Sequence, residues 1–195
     1  MAKKKPNVLM VLGSPRRNSN STILAEHIAA GAKAAGANIK SVTLQSCKIA
    51  PCTACEACHA KKSKGCAIKD GMQEIYPLVQ EADAYIFASP IYWFNYSGQL
   101  KLFIDRCYAL FSTETMRSSF TGKPYALAFT YGAEDPFESG CVNAIRTFQD
   151  GFDTFLKARL AGTVYASAME AGDIKANDAI LKKAQLIGSG LLAGK

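Results

Sequence analysis

Asn7-Val-Leu-Met-Val-Leu-Gly13, followed by Ser14-Pro-Arg-Arg-Asn-Ser-Asn-Ser-Thr22, is the stretch on which the fold turns. The first part is a short continuous apolar run ending in glycine, the pattern of a strand buried on both faces. The second part is a polar loop with one proline and a series of cap-forming side chains. Beyond it, Ile23, Leu24, His27, Ile28 and Gly31 or Ala35 share one face at helical spacing. The loop therefore feeds a helix, with its N-cap expected at Asn20 or Ser21. A buried strand, a polar turn and an amphipathic helix make the repeating unit of an open parallel sheet, provided the unit recurs.

It recurs about five times along the chain. Asn38–Leu44 reads as a second strand with alternating Ile39, Val42 and Leu44. Asp70 can cap a helix from about Met72 to Glu81. Ala84–Ala88 is a third buried strand running into the aromatic-rich loop Ser89–Ser97. Leu100, Phe103, Ile104, Cys107, Tyr108 and Phe111 form one helical stripe, and Tyr125–Thr130 is a fourth strand ending in Tyr131-Gly132. A helix bearing Val142, Ile145, Phe148, Phe152 and Phe155 precedes a strand near Ala161–Tyr165, and a last helix starts at about Asn177. Alternation of this kind means an α/β fold with a parallel sheet covered by helices on both faces. About five strands favour a flavodoxin-like three-layer sandwich of order 2-1-3-4-5 over a six-stranded dinucleotide fold. With no internal repeat and no linker composition, residues 1–195 are expected to form a single domain. Residues at about 45–70 then form a cysteine-rich insertion after the second strand.

Composition narrows the function. Of 195 residues, 49% are apolar and 20% charged, an ordinary globular balance. No apolar run approaches the ~20 residues that cross a bilayer. Lys3-Lys4-Lys5 is followed by no long apolar segment or small-residue cleavage site, so a cytoplasmic protein without a membrane partner is expected. The net charge is +7, yet the basic residues are mostly scattered and no nucleic-acid module is visible. The local concentration is Lys61, Lys62, Lys64 and Lys69. Seven cysteines make an odd count, which argues against a disulfide framework in such a compartment.

In an open parallel sheet, ligands bind beyond the carboxyl ends of the strands at the switch point, here strands one and three. The loop after strand one is neither Gly-x-Gly-x-x-Gly nor a P-loop, which excludes an obvious dinucleotide pyrophosphate or nucleotidase site. It offers the hydroxyls of Ser14, Ser19, Ser21 and Thr22, the amide of Asn20 and the guanidinium of Arg16 around a helix N-terminus. That donor set suits the three oxygens of a terminal phosphate monoester. Pro90-Ile91-Tyr92-Trp93-Phe94, at the end of strand three, could hold a flat heteroaromatic ring, with Thr130-Tyr131-Gly132 on its other side. A phosphate-terminated flat ring at this address is FMN.

The cysteines carry a second message. Cys52-x2-Cys55-x2-Cys58-x7-Cys66 places four thiols at spacings that allow convergence on one centre, with Cys47 left outside. A [4Fe–4S] cluster needs four thiolates and the spacing is near that of ferredoxins, with a longer last gap and no proline after the fourth cysteine. Zinc more typically uses two separated Cys-x2-Cys pairs. Free or structural thiols are the third reading. Cys107 and Cys141 look like buried small hydrophobes.

The chain resembles the NAD(P)H-dependent FMN reductase group within the flavodoxin-like fold. The resemblance rests on Gly13-Ser-Pro-Arg16 with Asn20-Ser-Thr22, Ser89-Pro-Ile-Tyr-Trp93, and Gln99-Leu-Lys-Leu-Phe-Ile-Asp-Arg106. With Cys52, Cys55, Cys58 and Cys66 it looks closest to the iron–sulfur flavoproteins. One departure is Asp70-Gly71-Met72 where relatives commonly carry two Asp before Met. The resemblance implies FMN on the three loops and a [4Fe–4S] cluster on the four cysteines. It also implies a homo-oligomer, a dimer or tetramer, with ferredoxin or NAD(P)H as electron donor. The expected function is an FMN-dependent oxidoreductase passing electrons between cluster and flavin to a small acceptor. The alternatives are a cluster-free NAD(P)H-dependent FMN or quinone reductase and a non-catalytic redox-sensing or electron-transfer module.

Overall fold

The structure, a computed structural model, describes residues 4–193, so Lys3 and both ends of the expected 1–195 unit lie outside the described residues. Five main strands run β1 (Asn7–Leu12), β2 (Asn38–Thr43), β3 (Ala84–Tyr92), β4 (Pro124–Tyr131) and β5 (Arg159–Ser167). Five α-helices accompany them: α1 (Asn20–Ala34), α2 (Met72–Glu81), α3 (Gly98–Arg106), α4 (Cys141–Phe148) and α5 (Asp178–Gly190). The main strands are all parallel and lie in the order β2-β1-β3-β4-β5, the expected 2-1-3-4-5 pattern. Asn95–Tyr96 pairs back on the end of β3 as a short antiparallel addition.

Period-two alternation sorts the sheet's side chains onto two different faces. Leu9, Val11, Tyr85, Phe87, Tyr125, Leu127 and Phe129 meet α2, α3 and α4 in a core rich in aromatic rings. Val8, Met10, Ala84, Ile86, Ala88, Ala126 and Ala128 meet α1 and α5 on the other face. Small residues on that face let the two helices approach closely. A methyl group at Gly31 would strike the Gln185 carbonyl, and one at Gly188 would strike that of Ile28. The aromatic face is filled by rings in contact, with Phe87 touching Phe148 and Phe152 at 5.1 Å between centroids.

The helices differ from expectation at three places. The N-cap of α1 is Ser19, whose Oγ accepts the Thr22 N–H, one residue before the expected cap. The stripe Leu100–Phe111 does not stay α-helical. After Arg106 the chain tightens into a 3-10 turn, Cys107–Leu110, and Phe111–Ser112 is extended against Arg117–Ser118. The pattern Val142–Phe155 likewise divides into α4 and a π-helix, Gln149–Phe155. The wider π turn keeps Phe148 and Phe152 stacked at 4.9 Å but leaves Phe155 exposed.

Candidate functional site

A cavity of about 210 Å³ opens beyond the carboxyl ends of β1, β3 and β4. Ser14, Arg16, Ser19 and Asn20 line it from the β1–α1 side. Pro90, Ile91 and Tyr92 line it from the end of β3, and Thr130, Tyr131 and Gly132 from the end of β4. Ser97 fixes this corner: its Oγ donates to the Gly13 carbonyl at 2.7 Å, and its N–H donates to Ser89 Oγ at 2.9 Å. First-turn N–H groups have no intrahelical acceptor. In α1 that of Thr22 goes to Ser19 Oγ, and among the described residues those of Asn20 and Ser21 have no acceptor. They are available to an anion at the positive end of the helix dipole.

Four of the fourteen expected contact residues do not line this cavity. Ser21 is buried beneath it, 3.1 Å from Ser19 Oγ, and Thr22 lies behind the loop against Ser19. Trp93 and Phe94 form the two-residue tip of the hairpin Ile91–Tyr96, both with positive φ (46° and 66°). Trp93 is 93% exposed there. The cavity also has a wall that the sequence reading missed: Ala168, Met169 and Ala171, in the loop after β5. Asn20 holds that loop. Its Oδ1 accepts the N–H groups of Gly172 and Ile174, at 2.9 and 3.2 Å, and its Nδ2 donates to the Glu170 carbonyl at 2.7 Å. The Asn20 amide is thus committed to backbone, while Arg16 reaches the Met169 carbonyl at 3.3 Å from an exposed position.

The second site lies in the insertion. Cys52, Cys55, Cys58 and Cys66 line one small cavity together with Arg106 and Tyr108, and Cys47 is not part of it. Cys52 and Cys55 are exposed, Cys58 and Cys66 half-buried. Arg106, at the end of α3, is wholly buried and gathers the loop. It donates to the Ala50 carbonyl at 2.8 Å, to the Ile68 carbonyl at 3.4 Å, to Cys66 Sγ at 3.4 Å and, through both terminal nitrogens, to the Asp70 carboxylate. Asp70 also accepts the N–H groups of Ala50 and Met72. Burial pushes the Asp70 carboxyl up, but the Arg106, Ala50 and Met72 donors outweigh it and hold the carboxyl below its ordinary range. Burial likewise raises the Cys66 thiol, and donors from Ile68, Tyr76 and Arg106 bring it below the usual thiol value. The Ala57 N–H and the Thr53 side chain lower Cys55, whereas burial raises Cys58.

These residues fit a thiolate-bound centre by donor type. Four thiols share one cavity, and Arg106, whose buried Nε–H has no partner, lines it as well. The cavity is about 20 Å³, little more than one water molecule requires. Among the described residues no three His, Cys, Asp or Glu side chains are grouped closely enough to hold a metal ion. Holding a cluster therefore requires the four thiols to rearrange, and Cys52 and Cys55 lie on an exposed turn.

Helix α3 runs between the two sites. It is capped by Ser97, which bonds to Gly13 next to the first cavity, and ends in Arg106 at the second, so about 13 Å of helix separates those anchors. Among the described residues no helix is long and apolar enough to cross a membrane.

Comparisons with known proteins bear on the family and the fold. The profile of the family "NADPH-dependent FMN reductase" matches residues 6–172. An "Iron-sulfur flavoprotein" of Archaeoglobus fulgidus is 36% identical over 112 residues, 57% of this chain and 50% of that protein. One of Methanosarcina thermophila is 38% identical over 96 residues, 49% of each chain. This chain thus spans about half the length of these relatives in the matched region. Among solved structures, an "NAD(P)H:quinone oxidoreductase" from Methanothermobacter marburgensis superposes with a TM-score of 0.70 at 17% identity, covering 96% of this chain and all of that one. With the flavodoxin-like sheet in place and the profile covering most of its length, the chain belongs to the NADPH-dependent FMN reductase family.

Proposed function

We propose that this protein is an FMN-dependent oxidoreductase in which a [4Fe–4S] cluster and FMN exchange electrons and deliver them to a small acceptor. The observation that carries the reading is the pairing of two sites. One is the cavity at the switch point of an FMN reductase fold; the other is the gathering of Cys52, Cys55, Cys58 and Cys66 on one cavity wall. When bound, FMN supplies two-electron chemistry that can be released singly, and the cluster supplies one-electron transfer.

The chain's own groups then have distinct tasks. The N–H groups of Asn20 and Ser21, the hydroxyls of Ser14 and Ser19, and the Arg16 cation bind the FMN phosphate at the start of α1. Ser21 and Thr22 support Ser19 from behind. Pro90, Ile91 and Tyr92 on one side, with Thr130, Tyr131 and Gly132 on the other, orient the ring. Trp93 and Phe94 extend the ring site outward as a cover, a role suited to an aromatic tip that is otherwise exposed. The four cysteines hold the cluster on the 45–70 insertion, beside Lys61, Lys62, Lys64 and Lys69. Those cations suit reduction by an acidic carrier such as ferredoxin, with NAD(P)H as the alternative donor. A homo-oligomer, a dimer or tetramer, would seal the exposed aromatic tip.

Anaerobic purification followed by flavin, iron and acid-labile sulfide analysis tests the reading. The expected result is one FMN with about four irons and four sulfides per chain. A flavin spectrum without broad iron–sulfur absorption would remove the cluster. The small volume of the cysteine cavity favours one competing reading, a cluster-free NAD(P)H-dependent FMN or quinone reductase. In that case Cys52→Ser with Cys58→Ser would leave NAD(P)H turnover unchanged.

A further inference from the structure

Among the described residues Arg106 is the one fully buried cation, and neither the flavin cavity nor the fold accounts for all of it. A guanidinium has five N–H donors in a rigid fork. In Arg106 the terminal nitrogens are taken by Ala50, Ile68, Asp70 and Cys66, whereas the Nε–H is buried with no acceptor. A buried donor left unmade is costly, and native proteins rarely keep one without a reason. Arg106 also lines the four-cysteine cavity.

We propose that Arg106 is a positioning and tuning residue for the cluster: it pins Cys66 and the insertion to the end of α3, and its Nε–H and Nη2–H donate to thiolate sulfur. The inference rests on the reading of Cys52, Cys55, Cys58 and Cys66 as cluster ligands. Asp70 already balances the guanidinium charge from the loop side at 3.1 Å. What reaches the sulfur is therefore hydrogen bonding more than net charge, and hydrogen bonds to the sulfurs raise the reduction potential.

Arg106→Lys separates the two contributions, since it keeps the positive charge and gives up the fork and the Nε–H. In the purified holoprotein, redox titration followed by EPR should show the cluster midpoint lowered. The expected size is a tenfold change in the reduced-to-oxidised ratio at fixed potential, about 59 mV for one electron. A cluster-loaded lysine variant with the wild-type midpoint overturns the tuning role. The pin is read on cluster-free protein with FMN bound, by trypsin cleavage between Lys61 and Lys69. Cleavage at least fivefold faster in Arg106→Lys supports it, and an unchanged rate overturns it. Arg106→Gln replaces the lysine variant if that one does not retain FMN. Loss of FMN by both overturns the inference, because Arg106 would then be a plain core residue. Wild-type protein lacking iron and sulfide fails the cluster reading instead, and the trypsin comparison still decides the pin.

Discussion

Asn20 shows how one side chain can serve a site without touching what binds there. Its three hydrogen bonds fix the 170–174 loop, about 150 residues away in sequence, against the start of α1. In Asn20→Ala three backbone groups lose their partner, and water replaces it only in part. We expect a loss of about 2 kcal/mol, a drop of roughly 4–8 °C in Tm for a chain of this size. Flavin affinity should fall about tenfold, because Ala168, Met169 and Ala171 are walls of the cavity. Titration by flavin fluorescence separates this from a direct phosphate contact. If Asn20 acts through the loop, FMN and riboflavin weaken equally; a loss confined to FMN would refute that. The polar character of Ser14–Thr22 was legible as an anion-binding turn. The commitment of Asn20 was not, since no local pattern announces a partner so distant in sequence. Arg106 had a signal that could have been read. Leu100, Phe103 and Arg106 recur at three-residue spacing on the buried face of α3, and an arginine in such a stripe needs an internal partner.

At the level of elements, the hairpin Ile91–Tyr96 matters most. β3 runs four residues past its apolar run, through Pro90 to Tyr92, and turns back at Trp93-Phe94. Positive φ at both central residues is the type I′ geometry that usually takes Asn-Gly. Without those residues the turn could not be read from the sequence. The strain at two bulky residues is about 1–3 kcal/mol each and must be held by surroundings. Gly140, just before α4, supplies part of the hold: a Cβ there would lie about 2.5 Å from the Phe94 backbone. Gly140→Ala is thus penalised both by its φ of +75° and by that collision. Gly122, with φ +74° and open space around it, carries only the first penalty. We expect Gly122→Ala to cost about 1 kcal/mol and Gly140→Ala about 2 kcal/mol more. Urea unfolding of the two variants measures the difference, and equal losses would show that the hairpin does not rest on Gly140. The same limit explains the helix ends. Aromatic spacing continued through Phe111 and Phe155, so periodicity alone could not report the change to 3-10 and π geometry.

On the scale of the whole molecule, strand order was the most legible feature. β1, β3 and β4 each carry an apolar run, the edge strand β2 buries only Val42, and parallel crossover rules leave few arrangements. What the sequence could not reveal is how the 45–70 insertion is tied to the sheet, because the tie centres on one buried side chain, Arg106, which reaches Ala50, Cys66 and Ile68 and pairs with Asp70. Side-chain exposure is 11% for Asp70 and none for Arg106, so solvent screens the pair little. Its pH dependence has a definite sign. The Asp70 carboxyl titrates below the ordinary Asp value of about 3.9. The pair's contribution is therefore complete above that value and is lost as pH falls through the folded-state pKa. Asp70→Asn leaves a buried guanidinium without its counter-charge and should cost about 3 kcal/mol near neutrality. The gap between wild type and variant in urea unfolding should stay constant from pH 7 to pH 5, then close below about pH 4. Other carboxylates titrate in both proteins and cancel in the difference. A gap that persists undiminished at pH 3, or is missing at pH 7, would mean that the insertion is held by something other than this pair.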